Sequence, residues 1–248
     1  DGPLLAYDTG AGMNQLDEVV QTRNYYSANV YANYDETFGE AHHVSATAGF
    51  NYETWASKNV SVAGINLSSI NLDDLNLATG SPTEGAYGGG QNEYALMGFF
   101  GRLNYDYKGK YLVEVSGRYD GTSRFKRGHR WGFFPSFSLG WRISEEPFFE
   151  GIREKFNNFK IRYSYGQLGN QNVGYYDYIR KISIGNQNYL FGGDKPTTAT
   201  ISAPVASNLS WETSIHNNLG VDMSFLNNRL AFSADFYIRD TKDMLTSG

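Results

Sequence analysis

Four histidines, two acidic pairs and one glycine run are the residues of this chain whose types could carry chemistry. His42 and His43, with His129 and His216, could in principle ligate a metal. Adjacent residues of a strand point to opposite faces, so His42 and His43 do not readily close on one ion; single surface or lumen histidines are the simpler reading. The run Asn71-Leu72-Asp73-Asp74-Leu75-Asn76 offers oxygens to calcium, but it lacks the alternating spacing and distal glutamate of a calcium loop and reads as a solvated turn. Gly88-Gly89-Gly90 is followed by neither Lys-Ser nor a strand-to-helix unit, which argues against a phosphate cradle. Asp73/Asp74 or Glu145/Glu146 could serve glycoside hydrolysis only if a fold separated them across a cleft, and neighbouring acids are more often solvated charges. No Gly-x-Ser-x-Gly elbow accompanies a histidine and an acid. With no cysteine there is neither a thiolate site nor a disulfide framework. The reading is therefore no catalytic residue, no metal and no cofactor. A net charge of -5 also lacks the basic footprint of a nucleic-acid binder.

What positions these residues is period-2 alternation. Tyr26, Ala28, Val30, Ala32 and Tyr34 share one face, against Ser27, Asn29, Asn33 and Asp35. Val44, Ala46, Ala48, Phe50 and Tyr52 oppose His43, Ser45, Thr47, Asn51 and Glu53. Further strands run through Ala95–Tyr107, Tyr111–Tyr119, Ser136–Ser144, Lys160–Tyr165, Asn218–Phe225 and Leu230–Arg239. A weaker hairpin is expected from Tyr176 to Phe191, turning at 185–188. That makes about ten strands, many near the length of a tilted membrane strand. No apolar run reaches the roughly 18 residues a spanning helix needs. A barrel whose strands are half lumen-facing accommodates the low mean hydropathy of -0.48.

Connections sharpen the reading. Short ones are expected at 37–40, 108–110 and 227–228, and long polar ones at 56–92, 121–130 and 192–210. This alternation fits an up-and-down barrel with short periplasmic turns, whereas a Greek-key sandwich would scatter its long connections. Ser144-Glu145-Glu146-Pro147, with Phe148, Ile152 and Phe156, predicts a capped short helix on the short-turn side, resting at the membrane interface. Arg102, Glu114, Arg118, Asp120, Arg142, Arg162, Asp222 and Asp235, joined by Lys160 and Arg239, fall on the polar side of their strands. They are expected to face the lumen, or in a sandwich simply the solvent. Tyr105, Tyr107 and Tyr111 bracket one short turn while Val113 and Val115 lie further in, the order of an aromatic girdle.

At Arg118-Tyr119-Asp120-Gly121-Thr122-Ser123-Arg124-Phe125 the sequence resembles the SusC/RagA family of TonB-dependent transporters. The resemblance continues in order through Trp131-Gly132-Phe133-Phe134-Pro135-Ser136, Gly140-Trp141-Arg142 and Lys160-Ile161-Arg162-Tyr163-Ser164-Tyr165-Gly166. It resumes at Asn208-Leu209-Ser210-Trp211-Glu212, Gly220-Val221-Asp222 and Asp235-Phe236-Tyr237, then Thr241-Lys242-Asp243-Met244-Leu245. These blocks cover most of residues 94–248; the first ninety match in pattern rather than motif. The resemblance implies an all-β fold: part of a large antiparallel up-and-down transmembrane barrel of roughly 22 strands. It implies import of a glycan or peptide across the outer membrane of a Gram-negative cell. The implied partners are a SusD-like surface lipoprotein, outer-membrane lipids and TonB, which would act through an N-terminal part lying outside these residues. Residues 1–248 are expected to be an internal barrel segment without the plug domain.

Substrate contacts are expected from aromatic and amide residues of the long connections, because sugar rings stack on aromatic faces: Tyr87, Asn92, Trp131, Tyr175, Tyr176 and Tyr189. The alternative is that they pack loops together or touch the lipoprotein. Two other classes remain. A secreted all-β carbohydrate-binding or adhesion module would be soluble without detergent, and a β-rich glycoside hydrolase would depend on a carboxylate pair.

Overall fold

The computed structural model describes residues 7–8, 14–69, 71–80, 87–153, 155–186, 197–202 and 208–244. In chain order the strands are β1 (Tyr7–Asp8), β2 (Asn14–Phe38), β3 (His42–Leu67), β4 (Ala78–Gly80), β5 (Tyr87–Tyr107) and β6 (Tyr111–Thr122). They continue as β7 (Trp131–Arg142), β8 (Phe156–Asn170), β9 (Ile182–Asn186), β10 (Thr197–Ile201), β11 (Glu212–Phe225) and β12 (Leu230–Lys242). Ten of these form one sheet in the order β1-β2-β3-β5-β6-β7-β8-β11-β12, with β4 on β3; β9 and β10 pair apart from it. The pairings from β5 to β12 are antiparallel throughout. Among the described residues no pairing joins β1 to β12, so they form no closed ring.

The tight turns follow from local chemistry. Gly39 and Glu40 (φ 56° and 57°), and Lys108 and Gly109 (φ 53° and 67°), adopt the paired positive angles whose twist matches that of the flanking strands. The Lys110 amide donates to the Tyr107 carbonyl at 2.9 Å, closing the second turn.

Two expectations about loops change. The connection predicted over 56–92 shrinks to 68–86, because β3 continues to Leu67 and β5 starts at Tyr87. The glycine run that suggests a loop is strand. A Cβ on Gly88 would stand 2.7 Å from Ser61 Oγ, and one on Gly89 2.9 Å from the Asn59 carbonyl. Glycine there permits close approach of two backbones. The hairpin predicted from 176 to 191 is likewise replaced. β9 pairs β10 with Ile182 opposite Ile201 and Asn186 opposite Thr197, so a strand also interrupts the long connection predicted over 192–210, and 175–179 lies in turns.

The predicted capped helix is two 3₁₀ turns, Ile143–Glu145 and Pro147–Ile152, neither with a side-chain cap. Proline at the start of the second turn fixes φ where the missing amide costs nothing. Phe149 is buried while Phe148 is exposed, the reverse of the predicted spacing, and Phe156 already opens β8.

The chain divides into two compact units, 1–26 with 53–94, and 27–52 with 95–248. The first buries Leu16, Ala63 and Leu67; Trp55 stacks on Tyr94, whose hydroxyl donates to Glu53 at 2.7 Å. The second holds the whole of β6 to β12. Only eight apolar side chains are buried among the described residues of the entire chain. Among the described residues, neither unit therefore buries the central core of a sandwich.

Candidate functional site

Residues directly opposite in an antiparallel ladder share a face. Arg102 stands opposite Ser116, and Asn104 opposite Glu114. Arg118 and Asp120 follow Glu114 at intervals of two. Gly140 faces Arg162 and Arg142 faces Lys160; Arg162 then faces Gly220, and Lys160 faces Asp222. Gly220 faces Asp235. All eight predicted charges therefore share one face of the second unit.

They are organised around Arg162. Its Nε lies 3.0 Å from Asp222 Oδ2, and its guanidinium reaches Asp235 Oδ1 at 2.8 Å. Ser233 Oγ donates to Asp222 at 2.6 Å, and Asn218 Nδ2 donates to Asp235 at 3.0 Å. A Cβ on Gly220 would collide with the Arg162 guanidinium, so glycine there makes room for the pair. Arg118 pairs with Asp120 at 2.8 Å and Arg102 with Glu114 at 3.7 Å. A cavity of about 360 Å³ opens on the same face beside Asn104, Glu114, Ser138, Lys160 and Arg162. Such a surface of paired charges, amides and hydroxyls can hydrogen-bond a hydrated polar cargo.

The opposite face is apolar and open. Val115, Leu139 and Leu219 are 53%, 47% and 50% exposed. Aromatics border it: Tyr107 stacks on Tyr111 at the short-turn end and Tyr119 on Trp131 at the other, with centroids 6.3 and 4.7 Å apart.

At the long-connection end, the polar-face residues Leu96 and Phe134 meet Phe125 and Trp211. Phe125 is fully buried, and Trp211 packs edge-on against both Phe125 and Phe134. The Trp211 indole N–H donates to the Arg130 carbonyl at 2.9 Å, and Arg130 Nε to the Phe125 carbonyl at 2.9 Å. Arg124 donates to the Val173 carbonyl at 2.9 Å and lies 5.0 Å from the centre of the Tyr175 ring. Three connections are thus pinned to one spot. The sequence holds these aromatics in separate motifs, and period-2 reasoning gives no signal that loop residues Phe125 and Trp211 converge.

The predicted contact residues disperse. Tyr87 and Asn92 are exposed positions of β5. Trp131 opens β7 on the apolar face against Tyr119. Tyr175 carries the Arg124 guanidinium, and Tyr176 takes a positive φ of 61° in the adjacent turn. Tyr189 lies outside the described residues. The histidines are also apart: His42 Nδ1 is 2.8 Å from Tyr105 Oη, His43 Nε2 3.2 Å from Asp35, and His216 Nε2 3.0 Å from Ser214 Oγ.

At the short-turn end Glu146 is buried against the apolar face. Its Oε1 accepts from Tyr111 Oη at 2.6 Å and from Trp141 Nε1 at 3.1 Å, while Lys110 Nζ stands 3.4 Å from Oε2. The Tyr111 and Trp141 hydrogen bonds, aided by Lys110, hold its carboxyl below the usual carboxylate range.

Residues 4–248 match the family model described as TonB dependent receptor-like, beta-barrel. TonB-dependent receptor P26 of Formosa agariphila is 31% identical over 98% of this chain and 24% of its own length. TonB-dependent receptor SusC of Bacteroides thetaiotaomicron is 40% identical over 61% of this chain and 15% of its own length. In the structure of the RagAB peptide transporter, the matched chain superposes with a TM-score of 0.83 at 26% identity, covering 96% of this chain and 26% of that one. The chain spans about a quarter or less of each of these proteins.

Proposed function

This chain belongs to the TonB-dependent receptor-like β-barrel family of the Gram-negative outer membrane, and on that premise we propose that it forms one stretch of barrel wall, with its outer loops, in a nutrient importer. The complete wall is a transmembrane barrel of roughly 22 strands. The apolar face of β5–β12 meets lipid and the charged face lines the lumen. One observation carries this: both faces of the second unit's sheet are open, one apolar over many strands and the other charged. A soluble monomer rarely leaves so large an apolar surface uncovered. A wall between lipid and a wet passage satisfies both faces at once.

In this reading Arg102, Glu114, Arg118, Asp120, Arg142, Arg162, Asp222 and Asp235 offer fixed hydrogen-bonding groups along the passage. The work is selective passage powered through TonB, not chemistry. Tyr175 and Tyr176 at the long-connection end are candidate cargo contacts, whereas Trp131 serves the outer girdle. The cargo is a glycan or peptide, and the likeness to the RagAB peptide transporter favours the peptide class. A SusD-like lipoprotein docks on the long connections, 68–86 and the β10-bearing stretch 192–210 among them.

The test is uptake by cells carrying the full-length receptor. Labelled oligopeptides and oligosaccharides should enter only when TonB is present, and Arg162→Glu should change uptake without lowering the receptor's abundance. Binding at the cell surface with no TonB-dependent entry would instead support the adhesion module.

A further inference from the structure

The segment joining β7 to β8 packs against the apolar face of the sheet. Three observations fix its place. Glu146 grips Tyr111 and Trp141, which stand opposite one another in the register and belong to the apolar face. Phe149 packs near Phe156 and Phe159, with ring centres 6.1 and 6.0 Å away, and Phe159 stands opposite Met223 on that same face. Arg153 then ties the segment's end to its start, donating from Nε and Nη2 to the Ser144 carbonyl at 2.9 and 2.6 Å. The segment is thus folded outward over the apolar side, not inward over the charged one.

Held this way it leaves Phe148 71% exposed and Ile152 46% exposed. The neighbouring β11–β12 turn, whose strands meet this end through Phe225 opposite Phe156, exposes Leu226 as well. Exposed Lys155, Arg229 and Lys108 lie just beyond the segment or in the neighbouring short turns, with exposed Glu150 between Phe148 and Ile152. Apolar side chains bordered by cations, continuous with an aromatic girdle, match the acyl boundary and headgroup phosphates of a phospholipid leaflet.

We propose that residues 143–153, together with Leu226, form an interfacial anchor that inserts Phe148, Ile152 and Leu226 into the phospholipid leaflet on the short-turn side. The hydrogen bonds of Glu146 set its depth, because they fix the segment to the girdle residues that mark the boundary. This rests on the barrel-wall reading and adds a contact that reading does not require.

Nitroxide labels separate the two. Single variants Phe148→Cys, Leu226→Cys, Val115→Cys and Arg127→Cys would be made in the full-length receptor and labelled in phosphatidylethanolamine–phosphatidylglycerol vesicles. Collision rates with oxygen, which concentrates in lipid, would be compared with those of a water-soluble nickel complex. Arg127 is an exposed residue of the β6–β7 connection and supplies the aqueous reference. Labels at positions 148 and 226 should shift towards oxygen relative to position 127, and position 115 should shift further. If 148 and 226 both match 127 while 115 favours oxygen, the anchor is overturned and the wall stands. If 115 also matches 127, the wall reading falls and takes the anchor with it.

Discussion

At the long-connection end of the second unit, Phe125, Phe134 and Trp211 lay an apolar cluster over the polar face; at the short-turn end, Glu146 brings a carboxylate against the apolar face. Each end is fastened by the chemistry that its own face lacks. On a face open to water further charges gain little, because water competes for every ion pair; buried apolar area, with the hydrogen bonds of Trp211 and Arg124 to neighbouring carbonyls, holds three connections together. If the other face meets lipid as proposed, further apolar area gains little there, because the surroundings are already apolar. There the polar tips of Tyr111 and Trp141 need an acceptor, and a hydrogen bond is strengthened by the low local dielectric. The medium dictates the faces along the strands, and the connections dictate them at the ends.

The largest expected effect tests the apolar end. Trp211→Ala in the full-length receptor should cost about 3–5 kcal/mol, the usual range for truncating a buried aromatic. Urea unfolding in detergent would measure it, and limited proteolysis should show faster cleavage within 123–130. A loss under about 1 kcal/mol, outside that range, would mean the connections are held by something other than this cluster.

Next comes the middle of the wall, where the medium should govern. Val115→Arg should cost roughly 2–4 kcal/mol if the residue lies near mid-bilayer, whereas Ser116→Arg on the charged face should be close to neutral. Equal costs at the two positions, in refolding yields into vesicles, would erase the distinction between faces.

A smaller effect addresses the carboxylate end. The Glu146 carboxyl is held below its ordinary range by Tyr111 and Trp141. Its contribution to stability is therefore fully present above the unfolded-state value and is lost as pH falls through the lowered folded value. The unmodified receptor should lose stability on acidification more steeply than Glu146→Gln, and parallel acid-unfolding curves would refute the clamp. The smallest effect belongs to the charged face. Gly220→Ala should displace the Arg162 guanidinium, a flexible side-chain end, at little cost, because water already screens the pair. Its consequence should show in uptake instead.

Much of this was legible in the amino-acid order. Alternation located every strand of the second unit's large sheet, and the spacing of Arg102, Glu114, Arg118, Asp120 and Arg162 put them on a common side that the register bears out. Alternation is a property of a strand alone, which is why it reads so well. It fails where the two faces stop differing. Residues 57–67 and 87–92 mix serine, asparagine and glycine on both sides, so they read as loop although they pair as strand. The 3₁₀ turns are hidden for another reason: three and six residues are too few to show a period, and Phe149 is buried because it packs near Phe156 and Phe159, a contact between separate elements. The convergence of Phe125, Phe134 and Trp211 is tertiary, and no local pattern encodes it.

The connection between β8 and β11 has a consequence for how such a receptor diversifies. β8 and β11 are direct neighbours, with Asn170 opposite Glu212 and its side-chain amide donating to the Glu212 carboxylate at 3.1 Å. Everything between them, including the separate β9–β10 sheet, therefore leaves and re-enters the wall within a single strand spacing of about 4.8 Å. An insert so mounted can be lengthened, shortened or exchanged without changing the register of either neighbour. Lengthening it adds little closure entropy, because that cost rises only with the logarithm of loop length. Residues 171–211 can therefore be rewritten while the strands that carry them keep their sequence, and a receptor engineer can graft at the same two hinges.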